Sequence, residues 1–142
     1  MPAMNQDQIA AFLAPPRHAI VATNPVDGPP QLSPVWYIFA DNQLYISTGA
    51  SAVKVRNLRR DPRISVCIDG GHPDARYVII QGSATLLETD DPKQEAMRWR
   101  IIRHYYETEA EAQQYYAAVR DNASVLIVVT PERVTSQNFN GD

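Results

Sequence analysis

The run Ser51-Ala52-Val53-Lys54-Val55-Arg56-Asn57-Leu58-Arg59-Arg60-Asp61-Pro62 places a helix-capping residue, a lysine one turn in and a stop signal in one short stretch. Such a stretch can hold an anion. The first-turn N–H groups of a helix have no intrahelical partner and carry partial positive charge. Ser51 would cap the helix, and Lys54 would bring an ammonium to the end where those groups converge. Phosphate is the anion that suits both kinds of donor. A surface helix with basic side chains, closed by Asp61-Pro62, fits the same residues. Arg59 and Arg60 in its last turn suit the helix dipole on either reading.

Other chemistries find less support. No Gly-x-Gly-x-x-Gly or Walker pattern is present, so neither a Rossmann nucleotide site nor a P-loop is indicated. His18, His72 and His104 fall on a strand start, a loop and a helix, without a Cys or carboxylate at metal-ligand spacing, and no metal is expected. Ser33 and Ser51 lack the flanking glycines of a nucleophile elbow. Pro34 interrupts an otherwise good strand pattern. It has no N–H for a ladder, so this strand lies at an edge or carries a bulge. Trp36, two residues on, could stack on a planar ligand or fill the core. The Tyr105-Tyr106 and Tyr115-Tyr116 pairs read as helix packing; Arg98, Arg100 and Arg103 read as a solvated helix face, with a basic rim for the tail of a ligand as the alternative. Cys67 reads as a small core residue; as the single cysteine it cannot form an intrachain disulfide.

The elements that would position these residues can be read in order. Asn5 caps a first helix through Leu13, stopped by Pro15-Pro16. Strands are expected at His18 to Thr23, Gln31 to Phe39 and Gln43 to Thr48, with Ala40-Asp41-Asn42 as a tight connection. After the helix from Ser51 come strands from Arg63 to Asp69 and Arg76 to Glu88, the latter with Gly82 as a candidate bulge. Asp90-Asp91-Pro92 announces a helix to about Tyr106, with Met97, Ile101 and Tyr105 on one face. A further helix spans Glu109 to Arg120. Ser124 to Thr130 is nearly all apolar, as in a strand buried on both faces, and Pro131 to Phe139 adds a last strand or tail. Closely spaced strands with few helices argue for a small barrel.

The chain has 142 residues, 44% of them hydrophobic, enough for one packed domain over 1–142. A net charge of −3 argues against a nucleic-acid binder that relies on overall charge. No apolar run approaches the ~20 residues of a membrane span, and no signal-peptide core is visible at the N-terminus. A soluble, cytoplasmic protein is expected, with no membrane or nucleic-acid partner.

Four segments occur in a familiar order: Gly28 to Ile38, the strand ending Ser47-Thr48, the Lys54 to Pro62 run, and Ile64 to Asp69. From Ile9 to about Thr130 the chain resembles the pyridoxamine-phosphate-oxidase-like split β-barrel family of flavin and deazaflavin oxidoreductases. The pattern lysine, x, x, Asn-Leu, x, x, Asp-Pro, here Lys54, Asn57-Leu58 and Asp61-Pro62, is its most specific part. The likeness is greatest to the branch that uses the deazaflavin coenzyme F-420. It implies a mainly β, Greek-key-like, FMN-binding type of split barrel. It also implies a homodimer with the cofactor at its interface, and hydride transfer to or from a small organic substrate. On that likeness Ser51, Lys54 and Asn57 hold the cofactor phosphate, while Ser33, Pro34, Val35, Trp36, Ser47 and Thr48 line its ring. Arg76 would border a site shared between subunits, or else lie at a solvent-exposed strand edge.

FMN is the alternative cofactor and fits the same phosphate site. Ala52 stands where some deazaflavin relatives carry an additional arginine. The Arg-rich substrate motif of true pyridoxamine phosphate oxidases has no match in 132–142, so vitamin B6 oxidation is not expected. A non-catalytic flavin carrier or sensor is a second reading. A haem-handling barrel is a third, but it wants an axial ligand and the tail after Thr130 has no histidine.

Overall fold

The computed structural model describes residues 2–141. Among these, the strands are β1 (Ala19–Thr23), β2 (Gln31–Val35), β3 (Ile38–Ala40), β4 (Gln43–Gly49), β5 (Arg63–Asp69), β6 (Arg76–Leu87) and β7 (Ser124–Asn138). They form one seven-stranded antiparallel sheet in the order β2-β1-β5-β6-β7-β4-β3. The helices are α1 (Gln6–Leu13), α2 (Val53–Arg60), α3 (Pro92–Tyr105) and α4 (Glu109–Val119). No described helix is long and apolar enough to cross a membrane.

Local chemistry sets most of these boundaries. Asn5 caps α1 in a reciprocal box with Gln8. Asp91 caps α3, with Pro92 in its first turn, and Thr108 with Glu111 boxes the start of α4. Asp41 and Asn42 take φ of +53° and +59°. That is the handedness a two-residue hairpin needs to match strand twist, and it joins β3 to β4.

The stretch Gln31 to Phe39, expected as one strand, is two. β2 pairs only with β1 and β3 only with β4, so the halves lie at opposite edges of the sheet. Trp36 and Tyr37 cross between them. The Tyr37 N–H donates to Tyr105 Oη at 3.0 Å, and the Tyr37 hydroxyl donates to the Leu13 carbonyl at 3.0 Å. Tyr37 is buried, and burial is the main reason its hydroxyl is held well above the usual tyrosine range. Its backbone donor is thus satisfied by a side chain instead of a neighbouring strand, which ends the ladder. Pro34 sits in β2, an edge strand, as its missing N–H requires.

β7 runs on through Pro131, so the apolar strand and the expected last strand are continuous. β6 pairs with β7 along its whole length, but each strand also serves a second partner. The first part of β6 also pairs with β5, while the first part of β7 also pairs with β4. The register shift falls between Gln81 and Gly82, as Gly82 suggested. The interior core is built from alternate residues of this curled sheet, including Val21, Ile46, Val66, Ile80 and Ile127, with Phe12 and Leu13 of α1 added. A second core lies on the outer face of β4 and β7, where Met97 and Ile101 of α3 pack on Tyr45, Leu126 and Val128.

A β-carbon at Gly82 would lie 2.0 Å from the Thr130 carbonyl oxygen, a backbone atom that cannot swing away. Gly82→Ala should therefore cost about 2–3 kcal/mol through strain at the bulge. Urea unfolding checks this; an unshifted midpoint would show that the two strands can part without penalty.

Candidate functional site

Where the chain crosses at Trp36-Tyr37, the end of β2 meets the end of β4, and a cavity of about 470 Å³ opens between them. Pro34, Val35 and Trp36 form one wall, and Ser47, Thr48 and Gly49 another. Lys54 enters from α2. Arg98, Ile101 and Ile102 come from α3, Tyr115 and Val119 from α4, and His18 from the residue before β1. Six of the nine residues expected from the sequence therefore gather here: Pro34, Val35, Trp36, Ser47, Thr48 and Lys54.

Three do not line it. Ser51 is exposed and is not the helix cap. Gly49 to Ala52 close a turn, with the Ala52 N–H on the Gly49 carbonyl at 3.1 Å, and Ala52 becomes the N-cap without a side-chain bond. The extra turn residue moves Ser51 out of reach of the first-turn amides, which stay uncapped by any side chain. Asn57 is buried, and its amide donates to Thr23 Oγ1 at 3.1 Å. Three residues place it about 60° round the helix from Lys54, enough to turn it onto the sheet. Its part in the motif is to fasten α2 to β1. Ser33 lies opposite Val21 on the interior side of β2, and its hydroxyl is buried without a hydrogen-bond partner among the described residues.

Lys54 is half-buried, and burial lowers the pKa of its ammonium from the ordinary lysine value. Among the described residues it has no ion-pair partner, and Ser47 and Thr48 make no side-chain hydrogen bonds. Among the described residues no Asp or Glu lines the cavity, whereas His18, Lys54 and Arg98 do. Arg98, expected on the solvated face of α3, is only 6% exposed. Gln94, Met97, Arg98, Ile101, Ile102 and Tyr105 fall at the i, i+3, i+4, i+7 spacing of one buried stripe, a signal that would have separated Arg98 from exposed Arg100 and Arg103. Arg76 is tied to Asp74 at 2.7 Å and lies over the Phe12 ring, away from the cavity wall.

The tyrosine pairs prove more than helix packing. The Tyr105 ring stacks on Trp36 with centroids 4.8 Å apart and planes 7° apart. Tyr106 meets Trp36 edge-on at 5.9 Å, and Tyr115 leans on it at 5.7 Å. Trp36 thus shapes the cavity from within an aromatic cluster supplied by α3 and α4. The Tyr105 hydroxyl accepts from the Tyr37 N–H and donates to the Arg17 carbonyl at 2.5 Å.

A curled antiparallel half-barrel with a cleft at its seam is a split β-barrel. The family model described as pyridoxamine 5'-phosphate oxidase matches residues 6–138, and the chain belongs to that family. A conserved hypothetical protein from Mycobacterium tuberculosis is 27% identical, with a TM-score of 0.77 over 96% of this chain and 86% of that one. An F420 reductase shares the fold at 20% identity and TM-score 0.67, over 87% of this chain and 93% of that one. So does a pyridoxamine 5'-phosphate oxidase-related, FMN-binding protein from Nostoc punctiforme, at 19% identity and TM-score 0.64, over 89% and 77% of the two chains.

Tyr105→Phe keeps the stacked ring and removes the hydroxyl that serves both Tyr37 and Arg17. It leaves a backbone donor and a carbonyl unpaired near the crossing, which should cost about 1–3 kcal/mol. Thermal and urea melts read the loss; wild-type stability in this variant would mean that water replaces the hydroxyl at no cost.

Proposed function

We propose that the protein is an oxidoreductase that works through a flavin-type cofactor bound in the seam cavity, its phosphate against Lys54 and the first turn of α2. The single observation that carries this reading is Lys54: a half-buried ammonium with no carboxylate partner among the described residues, beside uncapped helix amides. Burying a cation without a counter-charge costs stability, and a bound phosphate removes that cost. The donor set suits such a ligand. Lys54 meets the phosphate, the Ser47 and Thr48 hydroxyls supply neutral hydrogen bonds, and Pro34, Val35 and Trp36 give a flat apolar wall for a ring system. Bound there, the cofactor supplies the hydride or electron transfer; the chain binds and orients it.

Membership of the pyridoxamine 5'-phosphate oxidase family supports a flavin-type cofactor. We favour coenzyme F-420 on the local likeness of Gln31-Leu32-Ser33 and Lys54 to Pro62, with FMN as the alternative for the same phosphate site.

We also propose a homodimer. The outer faces of β2, β1, β5 and β6 carry a cross-strand row of Pro34, Ile20, Cys67 and Ile79, and no described helix covers it. Leu32 beside this row is 63% exposed and Ile20 41%. Pro34 belongs both to this row and to the cavity wall, so a second copy seated here would border the cofactor. Light scattering should give twice the 15.9 kDa chain mass, and Ile20→Lys should shift it toward one chain mass. A wild-type mass of one chain at all concentrations would refute the dimer.

Lys54→Met keeps the stem and removes the charge. It should weaken FMN and F-420 binding by about 10- to 150-fold, the value of one charge-assisted contact. Arg59→Met should not, since Arg59 is ion-paired with Glu88 at 2.6 Å. The ligand-free Lys54→Met protein should melt no lower than wild type. Burial depresses the folded-state pKa of Lys54, so its cost is fully present below that pKa and relieved as pH rises toward 10.5. Bound phosphate reverses the preference, so affinity should fall as pH rises through the lysine pKa. Calorimetric titration across pH checks both; equal affinity in Lys54→Met and wild type would refute the phosphate assignment.

A further inference from the structure

The helix that carries Lys54 has little apolar grip on the barrel. Of the eight residues of α2, Val55 and Leu58 are the buried apolar ones. Apolar contact is non-directional, so two such residues oppose rotation or sliding of the helix only weakly. A slip of one residue would turn Lys54 by about 100° round the helix axis. Polar bonds supply the missing register. Asn57 is 5% exposed and Thr23 is fully buried. The Asn57 amide donates to Thr23 Oγ1 at 3.1 Å, and the Thr23 hydroxyl donates to Gln31 Oε1 at 3.3 Å. Further along, Asn24 Nδ2 donates to Asp61 Oδ2 at 3.1 Å, and Arg60 donates to the Asn24 carbonyl. All of these bonds lie in the C-terminal half of α2 or at its C-cap. They fix the helix from the far end and leave Lys54 free to line the cavity.

The relay also has a second end. Gln31 opens β2, the strand whose Pro34 and Val35 wall the cavity. Asn57, Thr23 and Gln31 therefore join the helix that carries Lys54 to the strand that carries the ring wall, by way of β1. We propose, resting on the cofactor reading above, that Asn57 and Thr23 are positioning residues: the buried Asn57–Thr23–Gln31 relay fixes the phosphate end of the cavity relative to its ring wall. Hydrogen bonds are directional, and a buried amide that leaves its partner is costly, so the relay holds α2 to one register. It touches neither phosphate nor ring, and it acts on the phosphate alone through where α2 stands. By linkage, a phosphate bound at Lys54 in turn holds the relay closed.

FMN and riboflavin share one ring and differ by the phosphate, so their affinity ratio reads the relay. If F-420 is the ligand bound, its phosphate-free deazaflavin core replaces riboflavin. Thr23→Val keeps the side-chain shape and removes the hydroxyl. Calorimetry should show FMN weakened by about tenfold or more and riboflavin by less than about twofold. Thr23→Ser retains the hydroxyl and should restore the wild-type ratio. In a Lys54→Met background, Thr23→Val should cost FMN binding less than it does alone. In wild-type protein the side-chain amide hydrogens of Asn57 should exchange more slowly with FMN bound than with riboflavin bound, which carries the test if Thr23→Val does not fold. Equal losses for the two ligands would reduce the relay to a structural bond and overturn the proposal. So would an unchanged ratio, additive effects with Lys54→Met, or equal exchange of the Asn57 amide. Failure of wild-type protein to bind FMN or F-420 would strike the cofactor reading and this proposal with it, whereas normal FMN binding with an unchanged ratio strikes this proposal alone.

Discussion

Two residues, Trp36 and Tyr37, connect the opposite edges of a seven-stranded sheet. In a flat sheet those edges would stand about 29 Å apart, because neighbouring strands are ~4.8 Å apart. Val35 and Ile38 are three residues apart and can be separated by ~11 Å at most. The chain can make the crossing only if the sheet curls until its edges nearly meet. The barrel follows from that covalent limit, and so does the site. Curling brings the ends of β2 and β4 together without a ladder between them, and a seam without a ladder is a cleft. The β6–β7 bulge at Gly82 supplies part of the bend, because it lets the two long strands change partners midway. The same curl shields the two edge strands, which in an open sheet would be templates for aggregation.

The seam has been filled with charge where a stability argument alone would place apolar side chains. Among the described residues, Lys54 is half-buried without a carboxylate partner, and Arg98 is almost fully buried with one carboxylate at 3.7 Å. Elsewhere the molecule pairs its charges closely. Asp61 holds Arg63, Asp74 holds Arg76, and Glu88 holds Arg59, with each carboxyl below its usual pKa chiefly through the arginine hydrogen bond. The contrast is local and has a direction. Groups that are costly to bury sit at the cleft, where an anionic ligand can recover the cost, and closely matched pairs sit on the surface.

Much of this was legible in the sequence because it is encoded locally. Caps at Asn5, Asp91 and Thr108, the Asp41-Asn42 turn, the Gly82 bulge and the apolar run of β7 each announce themselves within a few residues. The motif around Lys54 likewise names its own helix. What was not legible depends on pairing at a distance. From Pro34 to Phe39 the stretch is apolar without a turn residue; Pro34 marks an edge or a bulge, but no local signal says that the two halves join different strands. Ser51 is a good cap by type, but the turn that begins at Gly49 shifts the helix start by one residue. Asn57 belongs to the motif, and only the position of β1 reveals that its amide serves Thr23. The contribution of α3 and α4 to the cavity comes from residues more than forty positions beyond Lys54, so no spacing could have joined them to it.

One face of α3 ties these parts together. Met97 and Ile101 pack the second core, Arg98 and Ile102 line the cleft, and Tyr105 holds the crossing at Trp36 and Tyr37. These residues lie on one helical stripe, so the helix cannot rotate to adjust one contact without losing the others. Its register is fixed at the N-terminal end too, where buried Gln94 accepts from the Ser124 hydroxyl at 2.6 Å at the start of β7. The cleft wall is consequently as firmly placed as the core behind it. Neither the Arg98 guanidinium nor the aromatic cluster can shift without disturbing the contacts behind it, so the wall is pre-organised. The geometry of this seam therefore originates in the same packing that closes the barrel, and changes to the outer core under α3 act on the cleft through the position of Arg98 and Tyr105.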